Sequence, residues 1–312
     1  MRIIRDYQFV EDQDRGASAA IGNFDGVHLG HQSVIDIARK AGREIGAPLG
    51  IMTFEPHPRA YFAPDTEPFR LTNAEARAHR LDKLGVERLY ELNFNQALSS
   101  LTPEEFAQNV IADGLGLKHI VVGADFCFGK GRAGASEDLE RFGRAMGFGT
   151  TIVPLVEGDR GAVSSTAIRN ALSDGRPRDA AAMLGHWHRM EGPVIGGEQR
   201  GRELGFPTAN MSIDGLHQPK YGVYAVTVDI LDGPHTGTYM GAASMGVRPM
   251  FGVNKPNLET FIFEFTGDIY GAPLSVGLVD YLRPEEKFDS LEALITQMDA
   301  DCARARQILA AL

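Results

Sequence analysis

Short apolar runs alternate with helix-length amphipathic stretches as far as Leu184; beyond that point strand-like runs follow one another directly. This change of rhythm limits the fold more than any single motif does. Strands separated by helices build parallel βαβ units, whereas consecutive strands joined by tight turns pair antiparallel. In the first half, strands are expected at 17–22, 49–54, 89–92, 119–122 and 150–155, and helices at 32–45, 75–84, 103–115 and 137–146. After helical stretches at 167–172 and 179–184, strands are expected at 193–195, 221–231, 238–245, 260–265 and 274–281. Asp232-Gly233 and Gly267-Asp268 supply turn signals between them. A final amphipathic helix over 291–309 has Leu294, Ile295, Met298 and Ile308 on its apolar face, with Asp289 and Glu292 read as a capping box. The expected division is therefore a parallel α/β domain over 1–185 and an antiparallel β domain over 186–312.

Composition excludes several classes. A formal net charge of −10 argues against non-specific nucleic-acid binding, which needs basic surface to neutralise phosphates. Small phosphorylated substrates remain possible, because local clusters of cations and backbone amides can hold them. No apolar run approaches the roughly 20 residues of a membrane span, and the charged N-terminal stretch MRIIRDYQFVEDQDRG lacks a secretory core. Cys127 and Cys302 lie too far apart in sequence to suggest a disulfide framework or a zinc site. Two reduced thiols in a cytoplasmic protein, with no membrane partner, is the expectation; nothing in the sequence speaks to oligomeric state.

Three segments carry chemistry. The first is Ile21-Gly22-Asn23-Phe24-Asp25-Gly26-Val27-His28-Leu29-Gly30-His31, at the first strand-to-helix turn. Its glycines let backbone approach a ligand, and the N-terminus of the following helix attracts anions. His28 and His31 are spaced to face one phosphate from the first helical turn, where they can donate to charge developing on a transferring phosphoryl group. The alternatives are a metal site, for which no third ligand is evident, and a pair of histidines satisfied within a turn.

The second segment is Val163-Ser164-Ser165-Thr166-Ala167-Ile168-Arg169. Its hydroxyls stand where helix N-caps stand, so a plain capped helix accounts for them. Arg169, one turn on, has a guanidinium that can fork onto phosphates.

Together the His-x-Gly-His turn and the Ser-Ser-Thr-x-x-Arg segment resemble the signatures of the nucleotidylyltransferase superfamily. More narrowly, the chain resembles the bacterial bifunctional riboflavin kinase/FAD synthetases. The matching stretches are 22–32, TFEPHPR at 53–59, VVGADFCFGKGR at 121–132, 163–171 and GRELGFPTAN at 201–210, in the family's order. The resemblance implies a Rossmann-like nucleotidylyltransferase domain followed by an antiparallel β-barrel flavokinase domain with a C-terminal helix. It also implies that FMN attacks the α-phosphorus of ATP, giving FAD and pyrophosphate. On that reading His28, His31 and Arg169 stabilise the transition state. Gly22, Asn23, Phe24, Asp25, Gly26, Gly30, Asp125, Ser164, Ser165 and Thr166 would then contact the nucleotide.

The third segment runs from Gly196 to Asn210. Read bare, it is a basic loop entering a Pro-fixed turn, as an ordinary hairpin loop would be. The resemblance makes it the cover over Mg-ATP in the kinase half, with Gly197, Gly201, Arg202, Gly205 and Pro207 at the nucleotide and Thr208 and Asn210 offering oxygens to Mg2+. A kinase acting on an alcohol also gains from a carboxylate that accepts the hydroxyl proton. In Leu258-Glu259-Thr260-Phe261-Ile262-Phe263-Glu264-Phe265, the family match puts that base at Glu259, with Glu264 the second candidate. A solvent-facing strand end explains a glutamate there equally well.

Gly129-Lys130-Gly131-Arg132-Ala133-Gly134 fits G-x-G-x-x-G and has Glu157 downstream, but a dinucleotide fingerprint must open a helix directly after a strand, and here 124–128 intervenes. Relative to the family, Met250 stands where Thr is usual, Cys127 where Arg is frequent and Phe261 where His is frequent. Two other readings stay open: a nucleotidylyltransferase for a different phosphorylated metabolite, and a flavin-binding regulatory protein without turnover.

Overall fold

The computed structural model describes residues 1–154, 163–196, 205–250 and 253–312, without the side chains of 248–250 and 253–254. Gly197, Gly201, Arg202 and Glu157 lie outside the described residues, as does the Met250 side chain. Packing divides the chain into two compact units, Met1–Thr66 with Arg77–Val163, and Glu67–Ala76 with Ser164–Leu312.

The first unit is built on a six-stranded parallel sheet of β1 (Arg2–Ile4), β2 (Ser18–Ile21), β3 (Leu49–Glu55), β4 (Arg88–Asn93), β5 (His119–Gly123) and, after a small hairpin of β6 (Cys127–Phe128) and β7 (Gly134–Ala135), β8 (Gly149–Val153). Spatial order is β1-β4-β3-β2-β5-β8, and each neighbouring pair is parallel. The central strands are buried on both faces, which is why they read as unbroken apolar runs rather than alternations. Along β3, Met52 enters one core with Leu92 and Phe106, while Ile51 enters the other with Leu89 and Val121. Helix α1 (Leu29–Ile45) lays Ile35 and Ala38 into that second core. It comes so close to the sheet that a Cβ on Gly42 would meet the Ser18 side chain at 3.2 Å. Successive strands after β2 run to one side of it and β5 and β8 to the other, so the carboxyl end of β2 is the topological switch point, where open α/β sheets bind ligands.

The remaining helices of this stretch are α2 (Pro58–Phe62), α3 (Ala74–Lys83), α4 (Gln96–Ser99), α5 (Pro103–Glu105) and α6 (Ser136–Met146). The continuous helix expected over 103–115 is instead α5, opened by a Thr102–Glu105 capping box, followed by a π-helix at Phe106–Ala112. Strand β1 escaped sequence reading because only three residues pair, at the sheet edge, among charged neighbours.

The second unit holds α7 (Ser165–Ser173), α8 (Pro177–Leu184) and six antiparallel strands: β9 (His188–Pro193), β10 (Thr208–Ser212), β11 (Gly222–Ile230), β12 (Gly237–Met250), β13 (Val253–Ile262) and β14 (Pro273–Arg283). Their order is β10-β13-β12-β11-β14-β9, and the two edges meet where Ile195 N–H donates to the Asn210 carbonyl at 2.8 Å. That bridge closes the sheet toward a barrel. Inward residues such as Met211, Val226, Leu258 and Leu278 share one core with Ile168, Leu172 and Leu184 of α7 and α8. On the outer face, Phe263, Val279 and Leu282 pack under Ala305 and Leu309 of the C-terminal helix Leu291–Leu309. Arg283 fixes that helix through a two-pronged ion pair with Asp301, at 2.9 and 2.8 Å.

Several expectations need correction. The strand placed at 193–195 is β9, which lies earlier. Its alternation was hidden because the inward position opposite Leu278 is a polar residue, His188, while Arg189 faces outward beside Ser275, Thr227 and Asp229. The strand placed at 260–265 is the end of β13, and Glu264 lies beyond it in a left-handed turn with φ 55°. Strand β10 was unforeseen, being short and Asn/Ser-bearing. The C-terminal helix is capped by Ser290, whose hydroxyl accepts from Ala293 N–H at 3.1 Å, rather than by Asp289 with Glu292.

His188 on β9 has no exposed surface to speak of, and its Nε2 has no partner among the described residues. Burial, with His186 and His217 nearby, pushes its pKa down to about 3. The unfolded chain, with an ordinary imidazole, binds more protons at pH between 6.5 and 3, so the second unit has this stability in full above pH 6.5 and loses it as pH falls toward 3. The loss amounts to something on the order of 4 kcal/mol. His188→Leu is expected to flatten that acid slope. Denaturant titrations across this range, read from the adjacent Trp187, check it; an unchanged slope contradicts the assignment.

Candidate functional site

Two clusters of sequence-nominated residues emerge, one in each unit. In the first unit, β2 ends at Ile21 and the chain turns through Gly22–His28 at the switch point before entering α1. The turn uses left-handed backbone at Phe24 (φ 51°), Gly26 (φ 81°) and Val27 (φ 46°). Phe24 and Val27 are held there by full burial of their side chains. His28 is the N-cap of α1: its Nδ1 accepts from His31 N–H at 3.2 Å, so Nε2 carries the imidazole proton. The His28 and His31 rings stack with centroids 3.6 Å apart and planes 14° from parallel. Gly30 is needed between them, since a Cβ there would lie 3.2 Å from the His28 ring.

Burial lowers the His28 pKa to about 4. Burial, and then the neighbouring His28, hold His31 well below the usual imidazole range. Both are neutral N–H donors at neutral pH, and a stacked pair this close disfavours two charges unless an anion arrives. The His31 Nδ1 is buried without a partner among the described residues, as a group awaiting a ligand would be. His57 of the TFEPHPR stretch caps α2 by accepting from Arg59 N–H at 3.1 Å.

Asp125 is exposed after β5, and Cys127 beside it places its thiol 3.6 Å from the Asp125 carbonyl. The G-x-G-x-x-G decoy forms a 3-10 turn at Lys130–Arg132 and strand β7, not a strand-to-helix phosphate turn. A run of aromatic rings that sequence reading did not single out crosses this unit: Tyr61 and Phe62 each lie edge-on to Phe94, which meets Phe54 at 5.7 Å. Phe62 is 68% exposed, an uncommon placement for so large an apolar ring.

The Ser-Ser-Thr-x-x-Arg segment belongs to the second unit. Ser164 caps α7, accepting from Ala167 N–H at 3.2 Å, so the bland reading of that hydroxyl is correct as far as it goes. Arg169 donates to the Thr166 hydroxyl at 3.1 Å and to the Phe69 carbonyl at 3.3 Å. Thr166 is exposed.

The other cluster lies on the outer face of the β10–β13 pair. Asn210 stands opposite Glu259 and Thr208 opposite Phe261, while inward neighbours Ala209, Met211 and Leu258 fill the core. The period of two therefore brings Thr208, Asn210 and Glu259 to one side. Asn257, two residues from Glu259 on the same face, donates its amide to Asn210 Oδ1 at 2.9 Å and fixes that carbonyl's direction. Gly205 (φ 85°) and Pro207 precede β10. Here a cavity of about 500 Å3 opens between Phe206, Phe261 and the C-terminal helix residues Ile295, Asp299, Cys302 and Arg306. Phe261, where the resembling family often has His, turns an edge to Phe206 at 5.3 Å and makes this wall apolar. Burial raises the Cys302 thiol to about 11, so it is not a nucleophile at neutral pH.

A switch-point phosphate turn with stacked histidines, joined in one chain to a small antiparallel barrel bearing a Thr/Asn/Glu cluster, defines a two-part nucleotide-using transferase. The FAD synthetase family model matches residues 10–167 and the riboflavin kinase model residues 184–309. The chain is 42% identical to the bifunctional riboflavin kinase/FMN adenylyltransferase of Pseudomonas fluorescens, over 99% of this chain and 98% of that one. It is 34% identical to the protein of that name from Escherichia coli K12, over 98% and 97%. A crystal structure named macrolide-efflux protein, from Streptococcus pneumoniae, superposes with a TM-score of 0.81 at 34% identity, covering 96% of each chain. Among the described residues no helix is long and apolar enough to cross a membrane. The chain belongs to the bifunctional riboflavin kinase/FMN adenylyltransferase family.

Proposed function

We propose that this chain makes FAD from riboflavin in two steps at two separate sites, with kinase chemistry in residues 186–312 and adenylyl transfer in residues 1–185. The observation that carries the proposal is the pairing of an anion-seeking histidine turn in the first unit with the Thr208/Asn210/Glu259 face in the second.

In the kinase step Glu259 accepts the proton of the terminal ribityl hydroxyl, whose oxygen attacks the γ-phosphorus of ATP and expels ADP. The Thr208 and Asn210 oxygens fit Mg2+: both are hard donors on one strand face, and Asn257 holds Asn210 Oδ1 in place while leaving its second lone pair available. The ion, when bound, neutralises phosphate charge. The cavity beside Phe206 and Phe261 is roomy enough for part of a bound substrate.

In the adenylylation step a phosphate oxygen of FMN attacks the α-phosphorus of ATP in line, and pyrophosphate leaves. No covalent enzyme intermediate is needed. His28 Nε2–H and His31 donate to the charge that builds on the α-phosphoryl oxygens. Gly22, Asn23, Phe24, Asp25, Gly26, Gly30 and Asp125 contact the nucleotide within the first unit. Catalysis comes from positioning and fixed dipoles. The exposed rings of Tyr61 and Phe62, set edge-on to the half-buried Phe94, offer the planar flavin a stacking surface. A cytoplasmic location, where ATP and thiol-reducing conditions coincide, fits both steps.

Purified protein given riboflavin, ATP and Mg2+ is expected to yield FMN and then FAD, separated by chromatography. FAD from supplied FMN but no FMN from riboflavin would overturn the kinase half of the proposal.

A further inference from the structure

The buried guanidinium of Arg77 is tied to the histidine turn, although it is remote in sequence and belongs to none of the motifs. Arg77 is wholly inaccessible to solvent. Its Nη2 donates to Glu55 Oε2 and to Glu91 Oε2, both at 2.9 Å, and its Nη1 reaches the Asn23 carbonyl at 3.5 Å. Glu91, itself buried, also accepts from Arg5 at 3.2 Å. The Thr53 hydroxyl donates to the same Asn23 carbonyl at 3.2 Å. One planar cation thus joins the end of β3, the middle of β4 and the turn that leads from β2 to His28.

The turn needs such anchoring. Phe24 and Val27 occupy left-handed backbone that side-chain-bearing residues seldom adopt, and conformations of this kind persist only where their surroundings over-determine them. Asn23 immediately precedes them, and its carbonyl is the point that Arg77 and Thr53 hold. The Glu55 carboxylate opens Glu55-Pro56-His57, so the same cation also sets the direction of the segment leaving β3.

We propose that Arg77 is a positioning residue for adenylyl transfer: it touches no substrate but fixes the Gly22–His28 turn so that His28 and His31 meet the phosphates at the moment of reaction. The inference rests on adenylyl transfer occurring at that turn. A guanidinium can reach both carboxylates and the carbonyl from one plane, and an ammonium cannot, so Arg77→Lys keeps the charge and removes the geometry.

With Arg77→Lys, the kcat for FAD formation from FMN is expected to fall about tenfold or more. KM for ATP is expected to stay within about threefold. Riboflavin phosphorylation by the same protein is expected to be unchanged. Hydrogen exchange at the amides of Gly22–Gly26 is expected to quicken, which a change in overall stability would spread across the sheet instead. Glu55→Gln, at a carboxylate that is one-third exposed and leaves the Arg77–Glu91 pair intact, is expected to show the same two effects more weakly. It decides the matter if Arg77→Lys does not fold. Parental kcat and parental exchange at the turn in the folded variant overturn the proposal. If His28→Ala also leaves FAD formation intact, the site assignment itself has failed; if His28→Ala abolishes it, only the role of Arg77 has.

Discussion

Glu259→Ala is expected to lower the rate of FMN formation from riboflavin by roughly 10²–10⁴-fold, the range for loss of a positioned general base, while FMN continues to be converted to FAD at the parental rate. The expectation follows from register. Glu259 stands opposite Asn210 on the outer face, two residues from Asn257 and two from Phe261, so its carboxylate shares a side with the proposed Mg2+ ligands. Alanine keeps the strand and removes the proton acceptor, so kcat should fall with little change in KM for ATP. Glu264, the other carboxylate in this stretch, lies past the strand, exposed and paired with Arg306 at 3.2 Å, so Glu264→Ala should leave the kinase nearly untouched. Steady-state kinetics of both half-reactions on both variants check this. A Glu259→Ala enzyme that phosphorylates riboflavin at near-parental rate would show the base to be elsewhere.

His28→Ala is expected to have the opposite profile: FAD formation falls by roughly 10²–10³-fold, the usual effect of removing one preorganised donor, and the kinase is spared. Two losses coincide. The Nε2–H donor disappears, and so does the Nδ1 acceptor that caps α1 through His31 N–H. His28→Asn separates them, since asparagine is a good N-cap but cannot place a donor where the imidazole did. Stability close to parental with adenylylation still lost would assign the effect to chemistry. Because burial holds His28 near pKa 4, the imidazole is already neutral at neutral pH, and acidification from pH 8 to 6 should not switch off this donor.

Much of this was legible in the sequence, for identifiable reasons. The parallel sheet announced itself because its central strands are buried on both faces and flanked by amphipathic helices. The histidine turn was legible because glycines, a strand end and a helix start coincide within eleven residues, Ile21–His31. The boundaries near 100–115 and 188–195 were not, since a π-helix has no distinct side-chain period and the polar His188 disguises an inward-facing strand position. Strand β10 hid because Thr208, Asn210 and Ser212 face outward, leaving only Ala209 and Met211 as apolar signal. Arg77 was invisible for a deeper reason. In TNAEARAHRL it looks like any cation on a polar helix, and its two partner carboxylates come from strands folded against it rather than from neighbours in sequence. Asn257 left a fainter trace, two residues before Glu259 on a strand, where the period of two places both on one face.

The central claim is that one chain carries two active sites joined only by a diffusible intermediate, FMN. It is tested most directly by mixing the Glu259→Ala and His28→Ala proteins in equal amounts with riboflavin, ATP and Mg2+ and following the flavins over time. Neither variant alone should make FAD from riboflavin; the mixture should, with FMN rising first and FAD following. A mixture that stalls without FAD, when each variant performs its remaining half-reaction on supplied substrate, would contradict free passage of FMN between two separate sites.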